Sequence, residues 1–171
     1  MARPRRRPTT ARAPHRWGKA KRSPRLRYTI DASVFINAFS PHEAGHAESL
    51  RFVATVKERG DPIVVPTLLI PEIASAVARA TDDGPGALQY AMATVGLPHL
   101  TLISLTPTIA RQAAELAATH RLRGADAAYL AVARRFATIL ISRDEEQRTR
   151  GAAVATCQTP EEALSQAEPG Q

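Results

Sequence analysis

Four acidic side chains lie in apolar stretches of the sequence, where a globular domain rarely places charge. They are Asp31, Glu72, Asp126 and Asp144, which we call the acidic quartet. An isolated buried carboxylate is costly unless it is paired or bound to a cation, so these positions require an explanation. If the fold brings the four together, their hard oxygen ligands suit Mg²⁺ or Mn²⁺, and the lack of cysteine among them argues against structural zinc. The sequence therefore predicts a divalent-metal site.

The elements that would position these residues are short apolar strands that alternate with helices. We predict strands over 26–31, 62–66, 99–105, 138–142 and 152–156. We predict helices over 32–39, 43–59, 67–80, 87–95, 107–120, 125–136 and 160–165, a helical turn over 144–149 and a break over 81–86. This order predicts an α/β fold of three layers, with a central, mostly parallel sheet of four to five strands flanked by helices.

Ligands of such folds bind outside the carboxyl ends of the strands. Asp31 and Asp144 each fall at or just past the end of a predicted strand, whereas Glu72 and Asp126 lie on helices that could line the same edge. The alternative is that the four acids are unrelated helix caps and surface charges. Asp126 in particular could complement the dipole of a first helical turn.

Positive charge is concentrated at one end of the chain. Residues 1–27 contain eleven of the 23 lysines and arginines and no acid, so the remaining 12 basic residues face 16 acidic ones. We predict a disordered Arg/Pro-rich arm over 1–24, one domain over 26–166 and a flexible tail over 167–171. The arm is either a nucleic-acid tether, acting through counterion release, or an extension without function, and both interpretations stay open.

The chain has one cysteine, Cys157, which excludes an internal disulfide and fits a reducing cytoplasm. No apolar run approaches the roughly 18–20 residues that span a bilayer. The charges near the N-terminus are not followed by the hydrophobic segment of a secretory signal. We therefore expect a cytoplasmic protein that does not contact a membrane.

Short segments around each member of the acidic quartet resemble those of PIN-domain ribonucleases. The segments are residues 28–36, 71–73, 125–127 and 140–144. More narrowly, they look like the VapC-type toxins of prokaryotic toxin–antitoxin pairs. The resemblance covers about residues 26–165, and four segments in the right order are far more specific than any one of them.

The resemblance implies a PIN-like fold, an endoribonuclease that cleaves RNA with Mg²⁺ or Mn²⁺, a homodimer and a cognate antitoxin protein as partner. Carried over by position, the acidic quartet is catalytic and metal-binding. Ser33, two residues after the first Asp, and Ser142, two residues before the last, match hydroxyl residues that support the site. A cluster of arginines could contact RNA phosphates, although a solvated charged face explains it equally well. The candidate RNA contacts are Arg143, Arg148 and Arg123.

We expect Asp31 and Asp144 to dominate metal coordination and the other two carboxylates to complete it directly or through water. One of the four, which the sequence does not identify, would orient the attacking water. The chain departs from the family pattern in two places. Residues 1–24 precede the usual start, and Glu145-Glu146-Gln147 stand where a bulky apolar residue is common soon after the last Asp.

Residues 42–46 read His-Glu-Ala-Gly-His, the H-E-x-x-H pattern of zinc metalloproteases. That chemistry needs both histidines on one face of a stable helix. Pro41 directly precedes the first histidine, so the motif begins a helix rather than lying inside one, and Gly45 weakens that helix. We therefore interpret the segment as an amphipathic surface helix without zinc chemistry.

Two further alternatives remain: a PIN nuclease of RNA processing or quality control that is not a toxin, and a PIN-like module that binds RNA or protein without cleaving.

Overall fold

The computed structural model describes residues 25–167. The predicted basic arm and residues 168–171 of the predicted tail lie outside the described residues. No helix in the described range is both long and apolar enough to cross a membrane.

Five parallel strands form the central sheet, which confirms the predicted fold class. The strands are β1 (Tyr28–Ile30), β2 (Ile63–Pro66), β3 (Leu100–Ile103), β4 (Ile139–Ile141) and β5 (Cys157–Gln158). Their order across the sheet is β3-β2-β1-β4-β5, and every neighbouring pair is parallel. The first strand is therefore central and pairs directly with β4, which comes much later in the chain.

Eight helices accompany the sheet in the described range. They are α1 (Ala32–Phe39), α2 (His46–Arg59), α3 (Leu69–Thr81), α4 (Gly84–Val95), α5 (Pro107–His120), α6 (Gly124–Phe136), α7 (Glu145–Gly151) and α8 (Pro160–Ala167). Helix α6 contacts β1, β2 and β4, and all seven residues from 127 to 133 are buried. A helix that is apolar on every side belongs in the interior, so α6 is held firmly across the middle strands.

Helix α4 begins three residues earlier than predicted, inside the segment that we expected to be a break. Asp83 caps it by accepting a hydrogen bond from the backbone N–H of Gly86 at 2.9 Å. A proline in the first turn is compatible with this start because its missing N–H would be unpaired there anyway. The Gly-Pro-Gly sequence is therefore a helix start.

The last strand also differs from the prediction. We expected it over 152–156, but residues 152–155 form turns and a bend, and the strand is only Cys157–Gln158. The prediction was wrong because a strand of two residues has no alternation of apolar and polar side chains to recognise. It still pairs with β4, at Leu140 and Ile141.

Candidate active site

The aspartates that follow β1 and β4 lie at the same edge of the sheet. Asp31 comes directly after β1 and caps α1, because its Oδ1 accepts the backbone N–H of Ser33 at 2.9 Å. Asp144 comes shortly after β4 and caps α7 in the same way, accepting the N–H of Gln147 at 2.9 Å. Each aspartate thus uses one oxygen to fix its orientation. Since β1 and β4 are adjacent and parallel, both carboxylates stand at one carboxyl edge.

Two serines join the loops that carry these aspartates. The Ser33 hydroxyl accepts the backbone N–H of Arg143 at 3.0 Å, and the Ser142 hydroxyl accepts that of Asp144 at 3.0 Å. The two hydroxyl oxygens are 3.5 Å apart. The backbone N–H of Asp31 also donates to the carbonyl of Ile141, at 2.9 Å. The side chains singled out from the sequence therefore link the ends of two strands.

The other two quartet carboxylates are carried by helices. Glu72 lies in the first turn of α3 and Asp126 in the first turn of α6. The Tyr129 hydroxyl, one turn further along α6, donates to Glu72 Oε2 at 2.6 Å. Within residues 25–167 no hydrogen bond holds the Asp126 carboxylate. All four carboxylates are thus at helix N-termini, where the helix dipole favours negative charge.

The pKa values show that the four carboxylates influence one another. Burial raises the pKa of Asp31, and the Asp144 charge raises it further, although hydrogen bonds from Ser33 and Gln147 oppose this. Burial together with the charges of Asp31 and Asp126 raises the pKa of Glu72, against the Tyr129 hydrogen bond. Burial raises the pKa of Asp126 to about 6, with contributions from Asp31 and Asp144. The structure thus brings the acidic quartet together.

The donor chemistry of the quartet fits a hard divalent cation. Asp31 is only 7% exposed, and no ion pair in the described part of the chain involves it. Its partners are neutral donors, which leaves its negative charge uncompensated. Among residues 25–167, however, no group of three or more His, Cys, Asp or Glu side chains is arranged so that it could hold a metal ion. The fit lies in oxygen donors and charge rather than in preformed ligand geometry.

A cleft opens beside Asp144, and Arg123, one of the predicted RNA contacts, lies next to the acidic residues that line it. Its volume is about 550 Å³, and it is lined by Asp144, Glu145, Glu146, Thr149 and Arg150. The Arg123 side chain is 72% exposed, and its guanidinium lies 3.8 Å from Asp144 and 4.0 Å from Glu146. Arg123 is therefore an exposed positive charge paired with two acidic residues that line the cleft.

The other two arginines hold neighbouring elements together. The guanidinium of Arg143 pairs with Glu161 at the start of α8 and donates to the carbonyl of Ala44 at 3.2 Å. Arg148 donates to the carbonyl of Ser142 at 2.8 Å. Their guanidinium groups are thus already engaged in intramolecular contacts beside the site.

Sequence reasoning missed two side chains that contact the quartet. Tyr129 is fully buried and binds Glu72, and Gln147 is fully buried with its Nε2 3.3 Å from Asp31 Oδ2. A signal existed for both, because each lies three residues after a quartet aspartate on a helix. Residues at that spacing share a helix face.

The H-E-x-x-H segment does not form the surface helix that we expected. His42 and Glu43 are exposed and lie in a turn before α2, and His46 is the first residue of that helix. His46 Nδ1 lies 3.0 Å from the carbonyl of Asn37, and Glu43 accepts a hydrogen bond from the Asn37 amide. The two histidines therefore do not share a helix face, and the segment fastens α1 to the start of α2.

The family model of the PIN domain matches residues 28–152. The protein therefore belongs to the PIN domain family, and the resemblance seen in the sequence is confirmed at that level. Among curated proteins, no relative matches the chain.

Solved structures share the fold at low sequence identity. VapC20 of Mycobacterium tuberculosis, a toxin that cleaves the sarcin-ricin loop, is 19% identical with a TM-score of 0.62, over 73% of this chain and 95% of that one. PAE2754 of Pyrobaculum aerophilum is 17% identical with a TM-score of 0.60, over 82% and 94%. A toxin-antitoxin complex from Klebsiella pneumoniae is 19% identical with a TM-score of 0.56, over 79% and 97%.

Proposed function

We propose that the protein is a metal-dependent endoribonuclease that cleaves RNA phosphodiester bonds as the toxin of a toxin–antitoxin pair. The observation that carries this proposal is the gathering of four mutually repelling carboxylates at the carboxyl edge of the sheet. Membership of the PIN domain family supports nuclease chemistry. Structural similarity to toxins, including one found in complex with its antitoxin, supports the biological context.

In this proposal Asp31 and Asp144 hold Mg²⁺ or Mn²⁺, and Glu72 and Asp126 complete the shell directly or through water. When bound, the cation lowers the pKa of a water molecule and polarises the phosphate. The helix caps and the serine contacts hold the two aspartates at the edge of the sheet, and the carboxylates would complete the coordination geometry as the cation binds. Burial, together with neighbouring like charges, raises the pKa values of Glu72 and Asp126. A bound cation would lower these pKa values, so its binding would release protons.

RNA is negatively charged, so the acidic cleft would repel it unless the cation and basic side chains compensate for that repulsion. We assign the phosphate contact to Arg123, whose guanidinium is exposed at the cleft beside Asp144. Arg143 and Arg148 contribute instead by holding the loop after β4, since their guanidiniums bind Glu161 and the Ser142 carbonyl.

The test is cleavage of total RNA by the full chain with Mg²⁺, with EDTA, and after Asp31→Asn. Asparagine retains the helix-capping oxygen, so the variant should fold, yet it removes the charge. The matched control is Asp83→Asn, which changes the exposed cap of α4 in the same way. Asp83 follows the C-terminal end of α3, whereas Glu72 lies in the first turn of that helix. We expect cleavage to fall about 10³-fold in Asp31→Asn and to stay unchanged in Asp83→Asn. Equal cleavage by wild type and Asp31→Asn, or full activity in EDTA, would contradict the proposal.

A PIN nuclease of RNA processing or quality control would use the same site, so the toxin assignment needs its own test. We propose that a small protein with a DNA-binding N-terminus, encoded next to this chain, is the antitoxin and that the toxin forms a homodimer. Expression of the chain alone should arrest growth, and co-expression of the neighbouring protein should restore it and suppress RNA cleavage. Light scattering measures the dimer. No growth arrest by an active nuclease would favour the processing role.

A further inference from the structure

One buried residue, Gln147, contacts three of the four quartet residues, two through its side-chain amide and one through its backbone N–H. Gln147 is fully buried near the start of α7. Its Nε2 donates to Asp31 Oδ2 at 3.3 Å and to the backbone carbonyl of Asp126 at 3.3 Å. Its backbone N–H donates to Asp144 Oδ1 at 2.9 Å. Gln147 therefore joins the ends of β1 and β4 to the start of α6.

Stability alone does not account for glutamine at this position. Its Oε1 is buried without a hydrogen-bond partner in the described part of the chain. A buried polar atom without a partner costs about 1–3 kcal/mol. An apolar side chain of similar volume would avoid that cost in a site packed against the core. The glutamine at this position is therefore better explained by the hydrogen bond from its Nε2 to Asp31 Oδ2.

We propose that Gln147 is a positioning residue that orients the Asp31 carboxylate for cation binding, an inference that rests on the proposed function. The backbone N–H of Ser33 holds Oδ1 of that carboxylate, and the Gln147 amide holds Oδ2. Both donors are neutral, so they restrict rotation of the carboxylate and leave its charge available to a cation. A lysine or arginine in the same place would fix the carboxylate and also neutralise it.

The bond to the Asp126 carbonyl extends the same role to a second element. Because one Nε2 donates to Asp31 and to the first turn of α6, it sets how far apart these two parts of the site stand. Removing a group that hydrogen-bonds to a metal ligand and orients it typically lowers metal affinity by about 10–100-fold.

The experiment measures Mn²⁺ dissociation constants by electron paramagnetic resonance for wild type, Gln147→Met and Gln158→Met. Methionine nearly matches glutamine in size and removes the amide donor. Gln158 on β5 is the matched control, because it is also buried and its Oε1 also has no partner among the described residues. We expect Gln147→Met to weaken Mn²⁺ binding about 10-fold or more and Gln158→Met to change it less than about twofold. Both variants should melt near the wild-type temperature.

The outcomes separate this inference from the proposed function. If Gln147→Met and Gln158→Met bind Mn²⁺ equally well and wild type cleaves RNA, the positioning role is overturned and the proposed function stands. If wild type neither binds Mn²⁺ nor cleaves RNA, the proposed function fails and the inference fails with it. A second measurement covers a Gln147→Met variant that does not fold: in wild type, Mg²⁺ should shift the side-chain amide resonances of Gln147 and not those of Gln158. Unshifted Gln147 signals would overturn the role.

Discussion

The acidic quartet consists of two pairs that are held in different ways. The strand-end pair, Asp31 and Asp144, caps two helices and is tied together by serine hydroxyls across neighbouring strands. The carboxylates of the helix-borne pair, Glu72 and Asp126, accept one hydrogen bond within the described residues, from the Tyr129 hydroxyl to Glu72. Contacts at the edge of the sheet therefore hold the strand-end aspartates in place. The helix-borne carboxylates have fewer such contacts and can change orientation more easily.

Removing charge from the strand-end pair should have the largest effect. We predict that Asp144→Asn lowers kcat/KM for RNA cleavage with Mg²⁺ about 10³-fold, equivalent to about 4 kcal/mol of transition-state stabilisation. Asparagine caps helices about as well as aspartate, so the melting temperature should stay close to that of wild type. Steady-state cleavage of a defined RNA measures the first quantity and circular dichroism the second. A loss below tenfold would mean that the strand-end pair is not the dominant half.

The cation itself should stabilise the folded protein through the same pair. At a Mn²⁺ concentration of 100 times the dissociation constant, we expect about 2.7 kcal/mol of added stability in wild type. EDTA should abolish this gain, and Asp144→Asn should lose most of it. Chemical denaturation with and without Mn²⁺ measures the difference. Full stabilisation of Asp144→Asn would place the cation away from the strand-end pair.

The helix-borne pair can be tested through Tyr129. Tyr129→Phe keeps the buried ring and removes only the hydroxyl that binds Glu72. We predict a loss of about tenfold in kcat/KM, or about 1.4 kcal/mol, because the Glu72 carboxylate can then rotate out of its position in the site. Tyr90→Phe is the matched control, since the Tyr90 hydroxyl donates to the carbonyl of Phe35 at 2.8 Å. Equal activity losses in the two variants would indicate that Tyr129 acts only through stability.

The pH dependence of stability should reveal the cost of ionising Asp126, which comes first from its burial and then from the charges of Asp31 and Asp144. Its pKa is raised from 3.8 to about 6, so the folded state favours the protonated form. The stability that this group contributes is greatest below about pH 4 and is lost as the pH rises through about 6. Asp126→Asn cannot ionise, and in EDTA we expect it to be about 1 kcal/mol more stable than wild type at pH 8, after allowance for solvent screening at a partly exposed group.

At pH 4 the same comparison should show no gain, because the wild-type carboxyl is then largely protonated. Urea denaturation at the two pH values measures the effect, and Asp83→Asn at an exposed helix cap supplies the control. A destabilised Asp126→Asn at pH 8 would show that the carboxylate is held by attractive contacts.

The sequence sufficed for the parts of the molecule that rest on strong local signals. Apolar runs located the first four strands of the central sheet, and Thr106 followed by proline predicted the start of α5 at the residue where the structure has it. Acids at the ends of apolar runs identified the quartet, since charge next to a buried strand is rare. Whether these four bind metal stays a prediction.

The rest depended on contacts between distant segments. The position of Gln147 three residues after Asp144 suggests contact with that aspartate, but its burial against Asp31 depends on a segment 116 positions away. The hydroxyl partner of Tyr129 lies 57 positions away, so the sequence around Tyr129 does not indicate that contact. The start of α4 was missed for a different reason: Asp83 and the following proline are a local signal, but the glycines on both sides of that proline favour a break.

The pairing of the first strand with the fourth has a consequence for how the protein is made. The hydroxyls of Ser33 and Ser142, which link the strand ends, are separated by 109 positions. A ribosome that has released the chain only as far as Phe136 has produced three of the four carboxylates, without β4 or the residue that caps α7. If the protein cleaves RNA, each newly translated copy remains harmless to the ribosome that is making it until the last part of the domain has emerged and folded.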